Sequence, residues 1–144
     1  TDRIALEIRS RFGSRPIELG DVGRNFLKHR RDFRLFALLA DQAPAAAERC
    51  HCVSFFKQDT PFHIGAESLV RSTGLPVLFA QCSRVSRGHY AIRFKEVATP
   101  PHAAEGYPIT ERYACLTEKA ILDEPESWLW THRRWKGLRP SNRY

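Results

Sequence analysis

The spacing of apolar residues changes period several times along the chain, and each change marks a predicted element. In RIALEIRSRF, Ile4, Ile8 and Phe12 recur at helical intervals while Arg3, Glu7 and Arg11 fall on other faces. This predicts a first helix, which Gly13 can end. Pro16–Leu19 reads as a short extended piece. Asp21–Arg31 reads as a second helix, with Val22, Phe26 and Leu27 on one side and Arg24, Lys28 and Arg31 outward. Phe33–Ala40 (FRLFALLA) is then almost continuously apolar and bounded by charge. A run that short predicts a strand buried on both faces.

Further on, Ala43–Arg49 reads as a loop or one weak helical turn, and Cys50–Lys57 as a strand. Thr60 followed by Pro61 predicts an N-cap and a proline at the first helical position. That helix is expected to run to about Thr73, with Phe62, Ala66, Leu69 and Val70 inward and Gly74 closing it. Leu75–Cys82 predicts a second fully apolar strand. Beyond a turn at Ser86–His89, Tyr90, Ile92 and Phe94 alternate with Arg93 and Lys95 over Tyr90–Val97, as in a half-exposed antiparallel edge strand. Thr99–Pro108 is a proline-containing loop. Thr110 is placed to cap a helix carrying Tyr113, Leu116 and Ala120, which stops before Pro125; a final turn or two then bears the tryptophans. No internal repeat or linker composition divides the chain, so residues 1–144 read as one domain. The order of elements predicts a three-layer α/β domain with a mixed, mostly parallel central sheet flanked by helices.

Charge narrows the partners. The net charge is +7 and the pI about 9.6, which favours anionic ones: nucleic acid, an acidic lipid surface, a phosphorylated substrate or an acidic carrier protein. Cys50, Cys52, Cys82 and Cys115 form no CxxC pair and read as free, mostly buried thiols in a reduced compartment. No run approaches the roughly 18–20 apolar residues that span a bilayer. The chain contains no methionine, not even at position 1, so Thr1 is not expected to be the biological start.

Candidate chemistry concentrates near the C-terminus. Trp128–Lys136 (WLWTHRRWK) sets three tryptophans among Arg133, Arg134 and Lys136. Indole rings anchor in a core, whereas guanidinium groups grip phosphate or carboxylate and stack on rings. The other reading of the same stretch is core tryptophans with a solvated basic face. Asp41, at the end of the predicted buried strand, stands where open α/β sheets place their ligand crevice; it reads equally as a structural acid holding an arginine. His63 and Glu67, four apart on the predicted helix, could meet as a base and its orienting carboxylate, or form an ordinary surface pair. Cys50-His51-Cys52 is not a metal site, because successive strand residues point to opposite faces. Nucleophile-elbow, phosphate-loop, dinucleotide and zinc motifs are all absent, and no cofactor is expected.

ALLADQ (Ala37–Gln42), FFKQDTPFHIGAE (Phe55–Glu67), GLPVLFA (Gly74–Ala80), RVSRGHY (Arg84–Tyr90) and EPESWLWTHRRWK (Glu124–Lys136) follow one another in an order that resembles the lipid A biosynthesis acyltransferases. These are the late, or secondary, acyltransferases of the lysophospholipid acyltransferase superfamily. The resemblance covers essentially the whole chain, and its ending is the most specific part. It implies transfer of a fatty acyl chain from an acyl carrier protein thioester to a hydroxyl of a lipid A precursor or related lipid. The place it implies is the cytoplasmic face of the bacterial inner membrane, with anchoring through a segment ahead of Thr1.

The resemblance also has a gap. The family's signature is a histidine, four residues, then an acid: the histidine is the general base on the acceptor hydroxyl and the carboxylate orients it. The fifth residue after each histidine here is Arg34, Phe56, Ser68, Phe94, Tyr107 or Gly137. None is acidic, so the chain is expected to be the C-terminal part of such an enzyme, with no catalytic residue of its own and no activity alone. What the resemblance carries over is substrate binding. Asp41 stands at the family's acid after the central strand, followed by Gln42. Arg9 and Arg11 both lie in the arginine-containing helix ahead of Gly13, where the family keeps one arginine for the acceptor's anionic groups. His132, Arg133 and Arg134 belong to the terminal motif, either touching phosphate or pinning that segment to the sheet. The alternative reading is a non-enzymatic basic domain on an anionic membrane surface or nucleic acid. Against nucleic acid, no helix-turn-helix, RNA-recognition strand motif or zinc finger occurs.

Overall fold

A computed structural model describes residues 2–45 and 48–135. Part of the Ala43–Arg49 stretch, and Lys136 at the end of the tryptophan-rich motif, lie outside the described residues. The chain forms two compact units, Thr1–Leu35 and Phe36–Tyr144.

In the first unit, α1 (Asp2–Ser10) and α2 (Val22–His29) are joined through a 3-10 turn at Leu19–Asp21. Both helices follow the periodicity of the sequence. Gly13 takes φ +83° and donates its N–H to the Ser10 carbonyl at 3.0 Å, ending α1 as expected. Phe26 of α2 is buried, but Ile4 and Ile8 of α1, and Phe12 just beyond it, stand exposed. After α2, the His29 ring bonds the Asp32 carboxylate at 2.7 Å, and Arg34 lies 3.1 Å from it. The His29 hydrogen bond first, and then the Arg34 charge, hold Asp32 below the usual carboxylate range.

The second unit is built around α4 (Pro108–Asp123), which touches all four strands and α3. Ile109, Thr110, Ala114, Leu116, Thr117 and Ile121 are its buried positions, a single stripe at helical spacing. Small residues at 114 and 117 let the strands approach closely. Strands β1 (Cys50–Phe55) and β2 (Gln58–His63) form one antiparallel hairpin; β3 (Val77–Ser86) and β4 (His89–Ala98) form another. Phe55, Phe62, Ala114 and Ile121 make the central core, with Tyr113, Trp128 and Trp135 packed against it. Phe55 and Phe62 meet edge to face at 5.2 Å, and Phe79 of β3 meets Tyr113 in the same way at 5.7 Å.

Helix α3 (Gly65–Thr73) ends on Gly74 at φ +67°, whose N–H bonds the Val70 carbonyl at 2.8 Å. That is the predicted glycine C-cap. The α4 N-terminus is capped from α3 rather than locally. Glu67, only 1% exposed, accepts the Thr110 N–H at 3.0 Å and the Thr110 hydroxyl at 2.6 Å, and pairs with Arg71 at 2.8 Å. Thr110 therefore lies inside the first turn of α4, not before it.

Several expectations give way. The four cysteines, expected mostly buried, are all exposed. The sheet is not mixed and mostly parallel: among the described residues there are two separate two-stranded antiparallel ribbons. Phe33–Ala40 joins neither of them, and Leu35 and Leu39 are 77% and 82% exposed. Apolar composition suits a buried strand, but a strand also needs a neighbour for its N–H and C=O groups. Thr60-Pro61 does not open a helix either. It lies within β2, where Thr60 pairs with Val53 and Pro61 with Cys52. Thr60, Phe62 and Ile64 are buried in strict alternation, a period of two that outweighs the local capping signal.

Candidate functional site

The residues after α4 build the site. Pro125 lacks the N–H that a continuing helix would need, and Pro125–Ser127 forms a single 3-10 turn. Beyond it the chain folds through consecutive tight turns: Trp128 N–H to the Pro125 carbonyl at 3.3 Å, Trp130 N–H to Trp128 at 2.9 Å, His132 N–H to Leu129 at 3.0 Å and Arg134 N–H to His132 at 2.9 Å. Trp130 is largely exposed, its indole N–H bonding the Pro125 carbonyl at 2.7 Å. Trp128 and Trp135 turn inward against the core.

Three side-chain bonds fix this tail to distant parts of the unit. The Trp135 indole N–H donates to Thr60 Oγ1 at 3.0 Å, with its ring 6.0 Å from that of Phe55. Arg134 Nη2 donates to the Pro61 carbonyl at 2.6 Å, and the guanidinium lies 4.4 Å above the Phe62 ring. Pro61 thus serves as an acceptor from a strand position that has no N–H to give. His132 Nε2 accepts the Ala43 N–H at 3.0 Å. In that bond Nε2 serves as the acceptor of the imidazole ring.

Arg134 is 2% exposed, and its Nε and Nη1 atoms have no hydrogen-bond partner among the described residues. Burial lowers its proton affinity, while Tyr113 and Asp41 act in the opposite sense. The Tyr113 phenol is pushed up to about 12, chiefly by burial and then by the charge of Asp41. The charge of half-buried Asp41 thus acts electrostatically on both the Tyr113 phenol and the Arg134 guanidinium, at the edge of the aromatic core.

Of the residues singled out from sequence, Asp41, His132 and Arg134 come together here. Gln42, between Asp41 and Ala43, is exposed, and so is Arg133. Arg9 and Arg11 belong to the first unit; both are exposed, and the Arg11 guanidinium lies 5.9 Å from the Phe12 ring centre. His63 and Glu67 do not meet as a base and its carboxylate. His63 Nδ1 faces Glu48 at 3.3 Å, whereas Glu67 is taken up by Thr110 and Arg71. Tyr113 and Thr60 were not legible as site residues, and Trp135 was legible only as one of the tryptophan anchors of the terminal motif. Tyr113 was legible only as part of the apolar stripe of α4, and nothing local reveals that its hydroxyl meets residues far along the chain. Among the described residues no cluster could hold a metal ion, and no helix is long and apolar enough to cross a membrane.

The arrangement sets a carboxylate within electrostatic reach of a buried cation and a phenol, with Arg133 and Gln42 exposed. Such a cluster can orient a hydroxyl and balance negative charge. Compared with known families, residues 1–137 match the family described as bacterial lipid A biosynthesis acyltransferase. No curated protein matches the chain.

Proposed function

The chain belongs to the bacterial lipid A biosynthesis acyltransferase family, and from that premise we propose that it serves transfer of a fatty acyl chain from an acyl carrier protein thioester to a hydroxyl of a lipid A precursor. The observation that carries the reading is the family match across residues 1–137. In the reaction the acceptor oxygen attacks the thioester carbonyl, its proton passes to a general base, and the carbon–sulfur bond breaks to release the carrier thiol. No histidine here is followed at the family spacing by an acid, so the base is not assigned to any residue of this chain.

What the chain supplies is the binding side. Asp41 accepts a hydrogen bond from the acceptor lipid, with its charge balanced by Arg134, and Gln42 adds a donor beside it. Arg133, exposed, meets a phosphate of the acceptor through a charge-assisted bond worth about 1.5–3 kcal/mol; one of Arg9 and Arg11, in the first unit, is a separate candidate for the acceptor's anionic groups. The net charge of +7 favours both an acidic carrier and an anionic lipid surface, and the cytoplasmic face of the inner membrane would present both.

The test is acyl transfer from an acyl carrier protein thioester to a phosphorylated glucosamine disaccharide lipid. These 144 residues alone should give no turnover. In an active polypeptide that joins this chain to a family histidine–acid segment, Asp41→Asn should lower kcat by about 100-fold with the fold retained. Turnover by the isolated chain would overturn the assignment of the base elsewhere. Wild-type kcat in the Asn variant would remove Asp41 from the site.

A further inference from the structure

We propose that the Trp128–Trp135 tail acts as a clasp that positions Asp41, and that His132 is its positioning residue through the bond from the Ala43 N–H to His132 Nε2. The inference rests on the reading of Asp41 as a substrate-binding residue, and it assigns the tail to the architecture of that site rather than to the substrate.

Asp41 lies on a segment that belongs to neither hairpin, so no strand ladder fixes its backbone. Something else must, because a carboxylate that orients a substrate has to be held within a fraction of an ångström. The Ala43 N–H, two residues on, is taken by a side chain 89 residues away in sequence. That side chain is itself immobilised. Arg134 and Trp135 bind adjacent residues of β2, Pro61 and Thr60, at separations of 73 and 75 residues. Strand β2 is locked in turn by the Phe55–Phe62 contact at the centre of the core. A continuous path of packed and hydrogen-bonded groups therefore runs from the core through Thr60, Pro61, the tail and His132 to the Asp41 loop. Arg134, buried and with two donors unpartnered among the described residues, adds a fixed positive charge on the same side. A tail evolved only to cover the core would not need a bare imidazole nitrogen aimed at a loop amide.

Hydrogen exchange read at single amides tests the clasp directly on the 144-residue chain. His132→Ala should raise exchange at Ala43 by about 10-fold or more, with the Ala114 and Ile121 amides of α4 unchanged. His132→Gln, whose side-chain oxygen can replace Nε2 as acceptor, should restore protection. Should His132→Ala disturb the whole unit, Trp135→Phe keeps an aromatic side chain there while removing the indole N–H bond to Thr60 and part of the ring packing, and should raise Ala43 exchange to a smaller degree. In the active polypeptide, His132→Ala should reduce kcat in the manner of Asp41→Asn with KM little changed, and His132→Gln should recover most of it. Unaltered exchange at Ala43 in His132→Ala, or failure of His132→Gln to rescue, would overturn the clasp. If the exchange results hold but Asp41→Asn has normal kcat, the clasp stands as architecture and it is the reading of Asp41 that fails.

Discussion

Tyr113 shows how much of a residue's role comes from neighbours outside its own helix. By its spacing on α4 it is one more apolar position, yet its hydroxyl lies within reach of the charges of Asp41 and Arg134. Its folded pKa of about 12 lies above the value of about 10 for a free phenol. The folded state thus keeps a proton that the unfolded chain gives up. Stability from this source is complete below pH 10 and is lost as pH rises through 12. Two units correspond to about 2–3 kcal/mol. Urea denaturation of the chain and of Tyr113→Phe across pH 9–12 should show the wild type losing up to about that amount relative to the variant. Parallel pH profiles would remove Tyr113 from the cluster. Asp41 and Arg134 were both legible as candidates in the sequence, Asp41 from its place after an apolar run and Arg134 from the tryptophan-rich motif. Their common partner on α4 was not.

Among elements, the β1–β2 hairpin illustrates competition between local signals. Phe56 and Lys57 form its two-residue turn, at φ +50° and +60°. Positive φ at both central positions is the pattern of the tight hairpin turn that prefers Asn-Gly; here two side-chain-bearing residues occupy it. Phe56 is retained because its ring packs edge-on to Phe55 and Trp135, and its N–H is taken by Glu118 at 2.9 Å. Lys57 is exposed and has no such compensation among the described residues. Lys57→Gly should therefore stabilise the unit by about 0.5–1 kcal/mol, while Phe56→Gly should destabilise it by about 3 kcal/mol or more through the lost ring. Thermal melts of the two variants would show this, and a lower Tm for Lys57→Gly would contradict it. The sequence concealed this hairpin because the turn lacks Gly and Asn, and because Thr60-Pro61 imitates a helix start. The other hairpin was legible at its turn, where Gly88 sits, but β3 is not the fully apolar strand expected over Leu75–Cys82: it alternates, and Tyr90, Ile92 and Phe94 of β4 lie on the exposed face.

For the molecule as a whole, the largest feature is apolar surface that the described residues leave open. One face of the β3–β4 ribbon packs on α4 through Phe79, while Leu78, Ile92 and Phe94, at 51%, 61% and 56% exposure, line the other with Tyr90. In the first unit, Ile4 and Ile8 of α1 and Phe12 just after it are exposed. Faces of this kind drive association. The 16.6 kDa chain should therefore sediment with a mass that rises with concentration, and Ile92→Lys with Phe94→Glu should shift it toward the monomer. A concentration-independent monomer in sedimentation velocity would show that these faces are tolerated by solvent.

The sequence by itself determined what depends on near neighbours and on motif: helices α1, α2 and α4, the Gly74 cap, the β3–β4 hairpin and the family to which the tryptophan–arginine ending points. Helical spacing, left-handed caps and alternation are set within a few residues, so a linear reading suffices for them. Only the tertiary structure decided that Thr60-Pro61 is a strand, that Phe33–Ala40 gains no partner strand among the described residues, that Glu67 caps α4, and that His132 holds the Asp41 loop. Those outcomes turn on hydrogen bonds and pairings between residues as far as 89 apart, and a buried polar group takes whatever partner the packed chain brings to it.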